Sequence, residues 1–205
     1  MSKSDFDLMK NVLIHEIMQK SFKYDEGEGF TLASGRMSKF YFDMKPITMS
    51  GKGIHFISHM YEHLKTCNSL VFGGIQSGAD PIASGLMLHF YYKERSSDIN
   101  YSTSRMFSIR KESKSHGTKK YVEGDVVSGE EVVIVEDVIT TGGSTIKAIK
   151  RAMDFGLIIK SILVVVDREE GGKENIKDFL IENEIGDVDI ITLVKRSEVM
   201  EVYNK

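Results

Sequence analysis

Apolar positions recur along this chain in two alternating rhythms. Over residues 5–20, Phe6, Met9, Val12, Leu13 and Ile17 fall on one helical face, with Ser4 as the candidate cap. Residues 30–45 read as extended, with Ser34-Gly35-Arg36 as a turn, and 52–65 as a helix. Leu70-Val71-Phe72 predicts a short strand ending in Gly73-Gly74, followed by a helix over 80–92 and an extended run at 104–109. Val132, Val133, Ile134 and Val135 form a short β-branched apolar run, which predicts a buried strand over 132–136. Ile146, Ala148, Ile149, Ala152 and Met153 then take helical spacing over 144–155. A strand at 162–166, a helix near 173–182 and a strand at 189–194 complete the pattern. Strands that alternate with helices predict an α/β fold, a mostly parallel central sheet flanked by helices. Ligands of such sheets sit beyond the carboxyl ends of the strands. Gly73-Gly74, Glu136-Asp137 and Asp167-Arg168 all fall at such ends, which predicts one shared site.

Composition narrows the class. The 205 residues fit a single domain over 1–205, and 41% hydrophobic content fills an ordinary core. A net charge of −3 gives no general attraction to nucleic acid or an acidic membrane. The lone Cys67 forms no internal disulfide and suits a reducing compartment. The N-terminal residues are polar, and no apolar run reaches the roughly 20 residues of a membrane helix. The expectation is a cytoplasmic protein without nucleic-acid or membrane partners.

The chemistry concentrates at Glu136-Asp-Val-Ile-Thr-Thr-Gly-Gly-Ser144. A turn that opens a helix points backbone N–H groups at a ligand and binds phosphate well. Glycines there permit positive φ and close approach. No Gly-Lys-Ser/Thr follows, so this is not a Walker loop, and the G-x-G-x-x-G spacing of dinucleotide sites is missing. Carboxylates beside a phosphate turn need a ligand that also offers hydroxyls or a metal. A ribose 5-phosphate offers both phosphate and a diol. A second segment, Arg110-Lys-Glu-Ser-Lys-Ser-His-Gly-Thr-Lys-Lys120, is cationic, has no apolar period and reads as a mobile loop. Its Arg110, Lys111, Lys114 and His116 suit a diphosphate, and a closing loop excludes water.

The Glu136–Ser144 stretch resembles the phosphoribosyl-diphosphate (PRPP) motif of type I phosphoribosyltransferases. Arg110-Lys-Glu-x-Lys-x-His-Gly117 resembles the catalytic loop of the orotate phosphoribosyltransferases. So do Phe30-Thr-Leu-x-Ser-Gly-Arg36 with Ser38 and Phe40-Tyr41-Phe42, Gly73-Gly-Ile-x-x-Gly-Ala-Asp-Pro-Ile-Ala83, and Asp167-Arg168. The likeness runs in order from about residue 28 to 172. Ala33 stands where many relatives carry a lysine, Ser77-Gly78 where some carry Tyr-Lys, and Glu-Asp replaces the Asp-Asp of some. The resemblance implies the type I phosphoribosyltransferase fold, with residues about 1–45 contributing to a small N-terminal hood. It implies transfer of phosphoribose from PRPP to orotate in pyrimidine (UMP) biosynthesis, with Mg²⁺ and no covalent nucleophile, in a homodimer that shares active sites. PRPP contacts are then expected from Arg110, Lys111, Lys114, His116, Glu136, Asp137, Val138, Ile139, Thr140, Thr141, Gly142, Gly143 and Ser144. Lys114, His116 and Asp137 take the catalytic roles, and Thr140, Arg168, Tyr41 and Phe42 face orotate. Mg²⁺ is expected on PRPP oxygens and water, without direct protein ligands. The alternatives are a transferase for another base and a non-catalytic PRPP- or nucleotide-sensing regulator. His55, His59 and His63 share a helix face at i, i+4 and i+8, but no partner carboxylate cluster is evident, so they read as helix-face residues.

Overall fold

Val132, Val133 and Ile134 have no solvent exposure, and the strand that carries them lies inside a six-stranded sheet. The computed structural model describes residues 2–31, 37–94, 104–112 and 121–205. In chain order the sheet strands are β5 (Val71–Ile75), β6 (Arg105–Ile109), β7 (Val122–Gly124), β8 (Glu131–Ile139), β9 (Ile158–Asp167) and β10 (Asp189–Lys195). Their spatial order is β10-β9-β8-β5-β6-β7. All neighbours pair in parallel except β7, which runs antiparallel to β6 at the edge. Helices α4 (Ala79–Glu94), α5 (Gly143–Phe155) and α6 (Gly172–Glu182) are the crossovers. The expected mostly parallel sheet flanked by helices is therefore present.

The sheet separates two apolar clusters, as strand alternation requires. Val133 and Val135 pack with α4 residues Ala79, Ile82 and Leu86. Val132 and Ile134 pack with Ala148, Ile149 and Ala152 of α5 and with Ile176 of α6. The buried face of α5 is Thr145, Ala148, Ile149 and Ala152, whereas Met153, expected inside, is 39% exposed.

The N-terminal helix α1 (Lys3–Lys20) starts one turn-edge earlier than expected, because Ser2 rather than Ser4 caps it. Ser2 Oγ accepts from the Asp5 N–H at 3.1 Å, and Asp5 returns the bond to the Ser2 N–H at 3.2 Å. Leu13, Ile14 and Ile17 join the same cluster as the α4 face. Two small antiparallel hairpins follow: β1 (Phe22–Tyr24) with β4 (Phe40–Phe42), and β2 (Phe30–Thr31) with β3 (Met37–Ser38). Helices α2 (Lys45–Thr48) and α3 (Gly51–Leu64) lead into the sheet. A last helix, α7 (Arg196–Tyr203), packs on α1, and Lys10 of α1 pairs with its Glu198 at 2.6 Å.

Candidate active site

The acidic pair ends β8, and its two members face opposite sides of the sheet. Glu136 is buried and turns toward α5, where its Oε2 accepts from Ser144 Oγ at 2.8 Å and Thr145 Oγ1 at 2.9 Å. Asp137 turns toward α4. A Cβ placed on Gly78 would stand 2.8 Å from the Asp137 carboxylate, so the β5–α4 connection runs close against this group. Asp137 Oδ1 accepts from the Val138 N–H at 2.9 Å. Burial pushes the Glu136 carboxyl up to about 7, helped by the neighbouring Asp137 charge and opposed by the two hydroxyl donors. Burial also lifts Asp137 above the usual carboxylate range, with Asp43 adding to the rise. Among the described residues no salt bridge reaches either carboxylate, so the strand end is receptive to hydroxyl donors or a cation.

The turn after β8 is held in one shape. Gly142 caps α5 with φ +79°, and a Cβ there would lie 2.7 Å from the Gly172 carbonyl oxygen. The start of α6 backs the turn from behind, where Asn175 Nδ2 donates to the Thr141 carbonyl at 3.0 Å. Gly143 and Ser144 line a cavity of about 400 Å³ with Ile75, Lys111, Glu112 and Lys147. A helix N-terminus and two lysines in one cavity form an anion site. Lys147 was not singled out in the sequence. It sits one turn into α5, and its i+4 spacing from Gly143 is the signal that points to it.

At the base of the cationic segment, Arg110 is already paired, its Nη1 donating to Glu123 Oε1 at 3.1 Å. Arg151 of α5 donates to the carbonyls of Arg110 and Lys111, the latter at 3.0 Å, and its guanidinium lies 3.9 Å from the Tyr121 ring centroid. Lys114, His116, Gly117 and the Ser34-Gly35-Arg36 turn lie outside the described residues.

Arg168 follows β9 and is 3% exposed. Its N–H donates to the Ile139 carbonyl at 3.0 Å, so it stands beside the end of β8. Its Nη2 donates to Ser38 Oγ at 2.8 Å and the Phe40 carbonyl at 3.0 Å, and it pairs with Glu170 at 2.8 Å. Burial pushes this guanidinium below its ordinary value, against the pull of Glu170. Glu170, unremarked in the sequence, balances the charge. Tyr41 is half-exposed, with its ring centroid 5.6 Å from Phe30. Phe42 is buried in the core with its ring centroid 5.1 Å from Phe22, so packing occupies the side chain expected to face the base. The structure therefore brings together the turn, Asp137, Lys111 and the Arg168 strand end, and sets Phe42 apart.

Residues 50–195 match the family model of the phosphoribosyl transferase domain. An orotate phosphoribosyltransferase of Aquifex aeolicus (strain VF5) is 39% identical over 171 residues, which cover 83% of this chain and 90% of that protein. One from Pyrococcus horikoshii is 36% identical over 173 residues, covering 82% and 85%. The crystal structure of Mycobacterium tuberculosis H37Rv orotate phosphoribosyltransferase in complex with PRPP is similar with a TM-score of 0.69 and 25% identity, over 94% of this chain and 99% of that one.

Proposed function

We infer the chemistry of this site from one premise: the chain belongs to the orotate phosphoribosyltransferase family. It moves phosphoribose from PRPP to orotate, giving orotidine 5′-monophosphate and diphosphate. The bond from C1′ to the diphosphate oxygen breaks, and C1′ bonds to a ring nitrogen of orotate. The observation that carries the residue assignment is the meeting of an N-terminal helix turn, Lys111 and Lys147 in one cavity beside a buried acidic strand end.

The N–H groups of the 140–144 turn hold the 5-phosphate. Asp137 accepts from the ribose hydroxyls. Glu136, whose carboxylate is taken by Ser144 and Thr145, fixes the turn from inside rather than touching the sugar. Lys111 and Lys147, joined by Lys114 and His116, offset charge that grows on the leaving diphosphate, the kind of transition-state electrostatics that contributes most. Arg168 pairs with the orotate carboxylate, exchanging part of its contact with Ser38 and the Phe40 carbonyl for the substrate. Tyr41 borders the base.

Mg²⁺ fits this donor set, because carboxylate, hydroxyl and phosphate oxygens suit a hard ion. It would be held chiefly by PRPP oxygens and water, with Asp137 supplying nearby negative charge. When bound it neutralises part of the diphosphate charge. The protein works as a homodimer in the cytoplasm, a reading supported by the family resemblance and the lone cysteine. No helix among the described residues is long and apolar enough to cross a membrane.

Calorimetric titration with PRPP and Mg²⁺ tests the assignment. Asp137→Asn keeps shape and removes charge, so PRPP affinity falls while far-ultraviolet dichroism is unchanged. Unaltered affinity would show that this carboxylate does not hold the ribose.

A further inference from the structure

Away from the strand ends, α3 and α4 bring two imidazoles and a carboxylate to one point. His59 and Glu62 are three residues apart on α3 and share a face, and α4 supplies His89. One coordinating atom from each lies within 4.8 Å of the other two. His89 Nε2 stands 2.7 Å from Glu62 Oε2, and the ring centroids of His59 and His89 are 4.5 Å apart. All three side chains are half-buried, and they open onto a cavity of about 760 Å³ that Leu8 and Met9 of α1 also line.

A hydrogen bond between His89 and Glu62, with Lys93 paired to the other carboxylate oxygen, is one use of these groups. It leaves the second imidazole without a polar role, since His59 meets that network only by ring contact with His89 and places a nitrogen near the same spot. Two imidazoles and one carboxylate with an open fourth position form a common zinc ligand set. Imidazole nitrogen selects zinc-class ions over Mg²⁺, which keeps such a site chemically apart from the transferase centre. The Lys93 side chain is 59% exposed, so it can turn to water when a cation takes its place on Glu62.

We propose that His59, Glu62 and His89 bind a divalent transition-metal ion of the zinc class, which clamps α3 to α4 with water in the fourth position. The histidine spacing on α3 was visible in the sequence. Its partners were not, because His89 is 27 residues from Glu62 and meets it only through helix packing.

The test uses the full chain, stripped with a chelator and titrated with Zn²⁺ by calorimetry and with Co²⁺ by visible absorption. A single equivalent is expected to bind, with the d–d bands of a low-coordinate cobalt site, and Zn²⁺ raises the melting temperature because it binds the folded state. His59→Ala and His89→Ala each lower affinity at least about tenfold, on the scale by which metal sites respond to loss of supporting groups. Glu62→Gln keeps the side-chain volume and lowers affinity alike, so a fold defect in a histidine variant does not decide the matter. His15→Ala, on the exposed face of α1, and Asp137→Asn, at the transferase site, both retain the ion. Transferase activity with Mg²⁺ alone is unchanged in His59→Ala. Absence of binding at equimolar micromolar metal, or affinity and cobalt spectra unaltered in the three site variants, would overturn the proposal.

Discussion

Glu136 and Asp137 are neighbours in sequence with different work, and the period of two in a strand is the reason. Glu136 follows Val132 and Ile134 to the α5 side, while Asp137 follows Val133 and Val135 to the α4 side. The acidic pair was legible in the sequence, but its division of labour was not. That division needs the knowledge of which crossover covers which face. Phe42 shows the same limit, because an aromatic in a hood strand serves core or ligand according to its face. The Glu136 reading has a pH consequence. Its folded value, about 7, lies above the ordinary 4.5, so the native chain holds a proton that the unfolded chain releases between them. Its contribution to stability is complete below 4.5 and is lost as pH rises through 7. Melting temperature of the ligand-free protein is therefore expected to fall over that window, and Glu136→Gln flattens the fall. Asp137 shifts in the same direction, so the difference between the two curves is the quantity to read. Parallel curves would remove the buried-carboxyl account.

At the scale of elements, the strands and crossover helices of the sheet were legible from the apolar pattern, since β8 and β9 carry continuous apolar runs, buried on both faces, over 132–135 and 162–166. The short β7 and the C-terminal α7 were not. Three residues carry no period, and α7 declares itself through Glu198, which accepts from the Lys195 N–H at 2.8 Å, rather than through a wide apolar stripe. The phosphate turn depends on contact between two crossovers, which no local pattern contains. Gly142→Ala puts a Cβ against the Gly172 carbonyl in a left-handed backbone. The conformation alone costs about 1–2 kcal/mol, and the clash adds to it. A lowered melting temperature and weakened PRPP binding are expected together, measured by calorimetry. Gly186→Ala, where a Cβ meets nothing within 4 Å, is expected to leave both unchanged. Equal effects of the two substitutions would mean the turn is not held by α6.

For the whole molecule, two segments far apart in sequence are needed to complete the site: the hood reaches Arg168 through Ser38 and Phe40, and the 110–117 segment is proposed to meet the diphosphate. In the proposed shared-site homodimer, that segment would serve the neighbouring subunit. Mixing Lys114→Ala chains with Asp137→Asn chains then pairs one doubly damaged site with one intact site. Activity returns to at most about half per heterodimer, by two-fold symmetry. Subunit exchange confirmed by mass spectrometry without recovered activity would place the segment in its own subunit's site. The central claim concerns the base that Arg168 selects, and orotate absorbance followed with PRPP and Mg²⁺ tests it most directly. The wild-type chain is expected to consume orotate and to leave adenine and uracil untouched. Arg168→Ala is expected to lose about 2–4 kcal/mol in kcat/KM for orotate, the scale of a charge-assisted pair, while PRPP affinity stays near that of the wild type. Orotate turnover by Arg168→Ala at the wild-type kcat/KM, or a wild-type chain that prefers another base, would contradict the account.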